Sequence, residues 1–149
     1  MNAQKLTEGS LSGIRRGDKV RMSVDYSSAS IHGLTEDDFA SYERNWLLKK
    51  DEICSRFIAS ADERLNGRLF LGAFKDAAYE IKIIVLRVNT QGDTDAEAVI
   101  INLENGETVA KIEKLIAPGG HFGSKLNLIK DGAAHTGELL GKFLRRKIK

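Results

Sequence analysis

The chain has 149 residues, of which 42% are hydrophobic and 30% charged, with a mean hydropathy of −0.28. That is the profile of one globular domain, because a chain of this size buries roughly two thirds of its unfolded surface around a single core. Disorder is excluded, as are a bilayer helix, which needs ~20 apolar residues where runs such as Ile83–Leu86 stop at four, and an internal disulfide, since Cys54 is alone. Lys and Arg number 23 against 21 Asp and Glu, for a net charge of +2, too little to argue for nucleic acid. Five of those cations, Lys142, Arg145, Arg146, Lys147 and Lys149, fall in the last eight residues, and the rest of the chain carries −3.

The start of the chain lacks the apolar stretch and small-residue cleavage site of a secretory signal, which predicts a cytoplasmic protein, or an envelope one if a signal has been removed. Residues 1–17 read as a polar leader with apolar Leu6, Leu11 and Ile14, and 18–149 as an α+β core of the same single domain. Lys19–Tyr26 alternates polar and apolar, a half-buried strand with Val20, Met22, Val24 and Tyr26 facing in. After a turn-rich segment, Thr35 followed by Glu36, Asp37 and Asp38 marks a helix start: a hydroxyl cap, with carboxylates at the positive end of the dipole. Phe39, Tyr42, Trp46, Ile53, Phe57, Ala61 and Leu65 then recur at helical spacing, and Asn66-Gly67 supplies the C-cap. An unbroken helix over that span would run about 45 Å.

Arg68–Lys75 is ambiguous between strand and loop. Tyr79–Val88 and Ala96–Leu103 read as central strands, each apolar on both faces toward its middle. Asn105-Gly106 is a hairpin signal, and Thr108–Ile116 returns antiparallel with Ala110, Ile112 and Ile116 on one face. Pro118 and the glycines after it end the sheet. From Ser124, the residues Leu126, Ile129, Ala133, Gly137, Leu140 and Leu144 form one buried stripe of a final helix. Ala133, Gly137 and Gly141 follow nearly one line, which predicts a seam of close approach. The order is β-α-β-β-β-α, an antiparallel-rich four-stranded sheet with two helices packed on one face. The apolar outer positions of its middle strands require a cover, from the leader or from a second chain as in a homodimer.

No catalytic constellation emerges. His32, His121 and His135 lack neighbours at metal-ligand spacing, so no metal or cofactor is expected. Cys54 reads as a small core residue, without a base nearby in sequence. The acids are accounted for by the helix start and by solvated helix faces, with no pair placed for acid–base work. Gly119, Gly120, Gly123, Ser124 and Lys125 form a glycine loop before a helix, whose free N–H groups suit an anion. Its order differs from a P-loop, because serine precedes lysine. A permissive turn capped by Ser124 explains the same residues. The basic tail fits the negative end of the last helix dipole and, with only Phe143 among its cations, does not read as a nucleic-acid surface.

Lys5–Leu11, Asp25-Tyr26-Ser27, Thr35-Glu36 with Phe39, and Leu140-Gly141-Lys142-Phe143 resemble segments of short uncharacterised bacterial proteins. That resemblance implies a small α+β domain without transferable catalytic residues. The element order is also similar to that of envelope-associated auxiliary domains, often lipoproteins, from which this chain departs by lacking a lipidated cysteine at its start. The combined expectation is a non-enzymatic interaction module that binds a protein partner or itself, through the sheet face or the exposed side of the first helix. The alternative is a small-molecule or anion-binding protein that uses the loop 119–125.

Overall fold

The structure, a computed structural model, describes residues 4–148; Met1–Ala3 at the head of the leader and Lys149 of the basic tail lie outside the described residues. Seven strands form one mixed sheet: β1 (Lys5–Gly9), β2 (Lys19–Asp25), β3 (Ser30–Ile31), β4 (Phe70–Gly72), β5 (Tyr79–Val88), β6 (Thr94–Asn102) and β7 (Thr108–Ala117). Three helices accompany it: α1 (Glu36–Tyr42), α2 (Trp46–Leu65) and α3 (Lys125–Lys147). The α+β class and the β5–β6–β7 meander agree with the sequence. The expected four strands and two helices become seven and three. The additions are short pieces: β1 within the leader, β3 within the turn-rich segment and β4 within the ambiguous stretch.

Strand order is β1-β7-β6-β5-β2-β4, with β3 beside the end of β5. The β1, β7, β6 and β5 neighbours are antiparallel, whereas β2 runs parallel to both β5 and β4. Parallel neighbours need a crossover connection, and α1 with α2 supplies the one between β2 and β4. Val20 and Met22 of β2, Ile81, Ile83 and Val85 of β5, Ala96, Ala98 and Ile100 of β6, and Ala110, Ile112 and Leu115 of β7 are all buried on the helix side of the sheet. The leader contributes an edge strand, and its Leu11 and Ile14 join that same core.

The long first helix is broken. Thr35 Oγ1 accepts the Asp38 N–H (3.2 Å) as the cap signal required, but the chain leaves the helix at Glu43 and begins again at Trp46. The break lets Phe39 and Trp46 turn onto one aromatic cluster: their rings meet edge to face at 5.4 Å, and Trp46 meets Tyr26 at 5.0 Å. The indole Nε1 donates back to the Glu36 carboxylate (2.9 Å), which also pairs with Lys50 (2.6 Å). Full burial of one large apolar side chain contributes about 1.5–3 kcal/mol, so seating both rings outweighs the helical turn lost between them. Tyr42, expected inside, is instead 68% exposed. Asn66 adopts the left-handed conformation (φ 47°) of the anticipated C-cap.

The meander differs from expectation in the facing of Ile116. Ala96 opposes Leu115 and Ala98 opposes Ile112, so β7 carries an extra residue between them, and Lys114 takes a positive φ of 64°. This bulge exchanges the faces of the last turn of strand: Leu115 goes into the core and Ile116, expected inward, is 46% exposed.

The helical layer is held by α3 lying against α2. All six residues of the predicted stripe, Leu126 to Leu144, face inward. A methyl group at Gly137 would overlap the Phe57 carbonyl oxygen, and one at Gly141 would fall 2.6 Å from that of Ala61. The predicted seam is therefore a backbone-to-backbone contact between helices. Replacing Gly137 with alanine gains about 1 kcal/mol of helix propensity but forces the helices apart, at about 1–3 kcal/mol for an overpacked contact. G137A is expected to lower the urea midpoint; an unchanged or higher midpoint would show that the seam tolerates a side chain.

Candidate functional site

Both helices that cover the sheet lie on one side of it, and the other side is open. The outward residues of the central strands are Glu80, Lys82 and Ile84 on β5 and Asp95, Glu97, Val99 and Ile101 on β6, all half-buried. Register places Lys82 opposite Val99, Glu80 opposite Ile101 and Ile84 opposite Glu97, so Ile101, Val99 and Ile84 make a diagonal apolar stripe across the two strands. Leu86, the extra residue of a second bulge between Val85 and Arg87, extends it and is 37% exposed. Ile116, opposite Asp95, adds a further apolar contact on β7. Ion pairs frame the stripe: Arg87 with Asp95 (2.9 Å), and Lys111 with Glu113 (3.3 Å) and Glu97 (3.7 Å). Among the described residues the central strands are thus not covered on both sides, since the leader forms an edge strand and packs into the core instead.

The glycine loop lies at one end of the sheet. Gly119 presses against the backbone of Gln91 and Gly92, where a side chain would not fit, and its N–H donates to Asp93 Oδ1 (2.7 Å). That bond is the chief reason the Asp93 carboxyl lies below its usual range, with the Asn89 amide contributing. Gly120 approaches the Asp131 carboxylate, and Gly123 takes a φ of 104° beside Asn127. Ser124 Oγ accepts the Asn127 N–H (3.3 Å), the N-cap of α3. Lys125 Nζ sits over the Tyr42 ring, 4.5 Å from its centre. The structure therefore brings Gly119 and Gly120 onto two carboxylates and sends Lys125 away to an aromatic ring. A small pocket of about 130 Å³ beside Ser124 is lined by Lys49, Glu52 and Lys130, whose charges pair across it.

The histidines are dispersed. His32 is packed edge to face with Phe39 (5.0 Å), and burial, with Lys125 nearby, holds its pKa below the ordinary value. His121 is exposed, and His135 Nδ1 donates to the Pro118 carbonyl (2.6 Å). Burial pushes the Cys54 thiol up to about 11, which leaves it protonated at neutral pH. No group of three metal-ligating side chains occurs among the described residues. Of the basic tail, Arg145, Arg146 and Lys147 occupy the last turn of α3, and Arg146 and Lys147 lie over the Phe143 ring. An opening of about 490 Å³ was not legible in the sequence: it joins Lys19, Phe74, Lys75 and Tyr79, which the parallel β2–β5 pairing brings together. No helix of the described residues is long and apolar enough to cross a membrane.

No family model matches the chain, and no curated protein matches it in sequence. Solved structures do share its fold. PelC from Paraburkholderia phytofirmans, determined as a dodecamer in two crystal forms, superposes with a TM-score of 0.50 at 16% identity, over 99% of this chain and 100% of that one in the first form. A DUF330 protein from Xanthomonas campestris gives a TM-score of 0.50 at 10% identity, over 98% of this chain and 95% of its own. The likeness is one of architecture along the whole chain.

The loop yields two checks. Asp93 carries a depressed folded-state pKa, so its contribution is present above the unfolded carboxylate value near 3.8 and is lost as pH falls through and below it. D93N is expected to lower the melting temperature at pH 7 and to flatten its decline toward acid; an acid limb identical to wild type would remove Asp93 from it. With Gly119 already donating to a carboxylate, inorganic phosphate at millimolar concentration is expected to leave the melting temperature unchanged. A rise in melting temperature that K125A abolishes would instead assign the loop to anions.

Proposed function

We propose that this chain is a non-enzymatic, self-associating module that builds a homo-oligomer through the open face of its sheet. The observation that carries the reading is the apolar stripe Ile101–Val99–Ile84–Leu86 with Ile116, which none of the described residues covers. Exposed contiguous apolar surface on a soluble domain marks a contact. The ion pairs around it give the apolar stripe a polar rim. The dodecameric state of PelC supports the reading, because a protein of the same architecture assembles from identical chains.

The non-enzymatic part rests on the dispersal of reactive groups. The three histidines have separate surroundings, and the thiol of Cys54 is protonated. The acids nearest the glycine loop accept a backbone donor or crowd a glycine.

Light scattering over a concentration series tests the proposal. Wild type is expected at a multiple of the 16.5 kDa chain mass, and the double variant L86E/I116E at that mass itself, with its melting curve retained because both positions are exposed. Wild type that stays at one chain mass up to hundreds of micromolar would overturn the self-association reading.

A further inference from the structure

We propose that His32 is an acid-responsive latch: neutral, it holds α1 on the end of the sheet, and protonated, it releases Phe39 and the end of α1 from the aromatic cluster.

The latch is built at a tight reversal of the chain. Ile31 and Leu34 exchange backbone hydrogen bonds across His32 and Gly33 (2.7 and 2.9 Å), and both intervening residues are left-handed, at φ 52° and 80°. The His32 N–H donates to the Val88 carbonyl (2.9 Å), which continues the parallel pairing of β3 with the last residues of β5. Left-handed backbone is uncommon for a residue that carries a side chain. Here it sets the imidazole edge to face on Phe39 of α1, 5.0 Å between centres. Phe39 is fully buried and passes the contact on to Trp46 (5.4 Å).

The contact depends on pH through the imidazole Nε2, which is buried with no hydrogen-bond partner among the described residues. A neutral imidazole can leave that nitrogen bare, whereas an imidazolium carries a second N–H, which would point where no acceptor stands. The charged groups facing the ring are Lys125, from the start of α3, and Glu43, from the end of α1; the end of β5 presents the Asn89 backbone. Burial, then Lys125, keeps the ring below its ordinary pKa of 6.5, although Asn89 and Glu43 draw it the other way. The stability that the neutral ring contributes is therefore complete above 6.5 and is lost as pH falls from there through the folded-state value.

The element that gives way is α1, because its seven residues are too few to stand as a helix alone. Its first turn is tied to α2 by Glu36, which accepts the Trp46 indole N–H and pairs with Lys50. The end that bears Phe39 and Tyr42 is the part that swings, and Tyr42 meets Lys125 only at an exposed contact.

Trp46 is the only tryptophan and reports the opening. Its emission and the far-UV circular dichroism are followed together from pH 8 to 5 for wild type, H32N, which suits the left-handed position, and H32F, which keeps a ring against Phe39. Wild type is expected to show a reversible red shift with a one-proton slope and a midpoint below pH 6.5, with most of the helical signal retained. H32N and H32F are expected to stay flat over that range, and either decides alone if the other fails to fold. H121N/H135N is expected to shift as wild type does. Wild-type emission that does not move, a shift that persists without His32 or vanishes in H121N/H135N, or a helical signal that collapses at the same midpoint would overturn the latch.

Discussion

The contact on which the rest of the structure depends is the backbone approach of α3 to α2. Gly137 and Gly141 set the α3 backbone against the Phe57 and Ala61 carbonyls, which brings the two helices close enough to share one face of the sheet. Their apolar stripes then meet the inward residues of β5, β6 and β7 as a single layer. Two helices placed this tightly on one side cover the core and nothing more, so the bareness of the other side follows from the same packing.

The second determinant is where the strands bulge. In a regular strand alternate residues share a face, so one extra residue exchanges the faces of all that follow. The bulge at Lys114 sends Leu115 inward and Ile116 outward, and the one at Leu86 lengthens the outer stripe. The candidate interface is thus partly made by irregularities of the sheet. Both lie toward the end where the glycine loop, Asp93 and the start of α3 interlock.

What was legible in the sequence was whatever depends on neighbours along the chain. The strands at Lys19, Tyr79 and Thr108, the cap at Thr35, the left-handed Asn66, the hairpin at Asn105-Gly106 and the stripe of α3 are local in origin, and each stands in the structure. The glycine seam was legible as a line of small residues, though not its partner. The short strands β3 and β4 were not, because two or three residues carry too little periodicity and hold their conformation through β5 and β2. Nor was the break before Trp46, since helical spacing continues across it and the gain comes from Tyr26, distant in sequence.

For the candidate site the division is similar. The sequence by itself determined that β5 and β6 carry more apolar residues than one buried face uses, that the histidines and Cys54 form no local motif, and that a glycine loop precedes the last helix. Only the tertiary structure decided that the surplus lies on the side of the sheet away from the helices and that Gly119 meets Asp93. The physical reason is that residue type fixes how much apolar surface a segment has to bury, whereas the side on which it is buried depends on register, bulges and helix packing, each set by contacts between segments far apart in the chain.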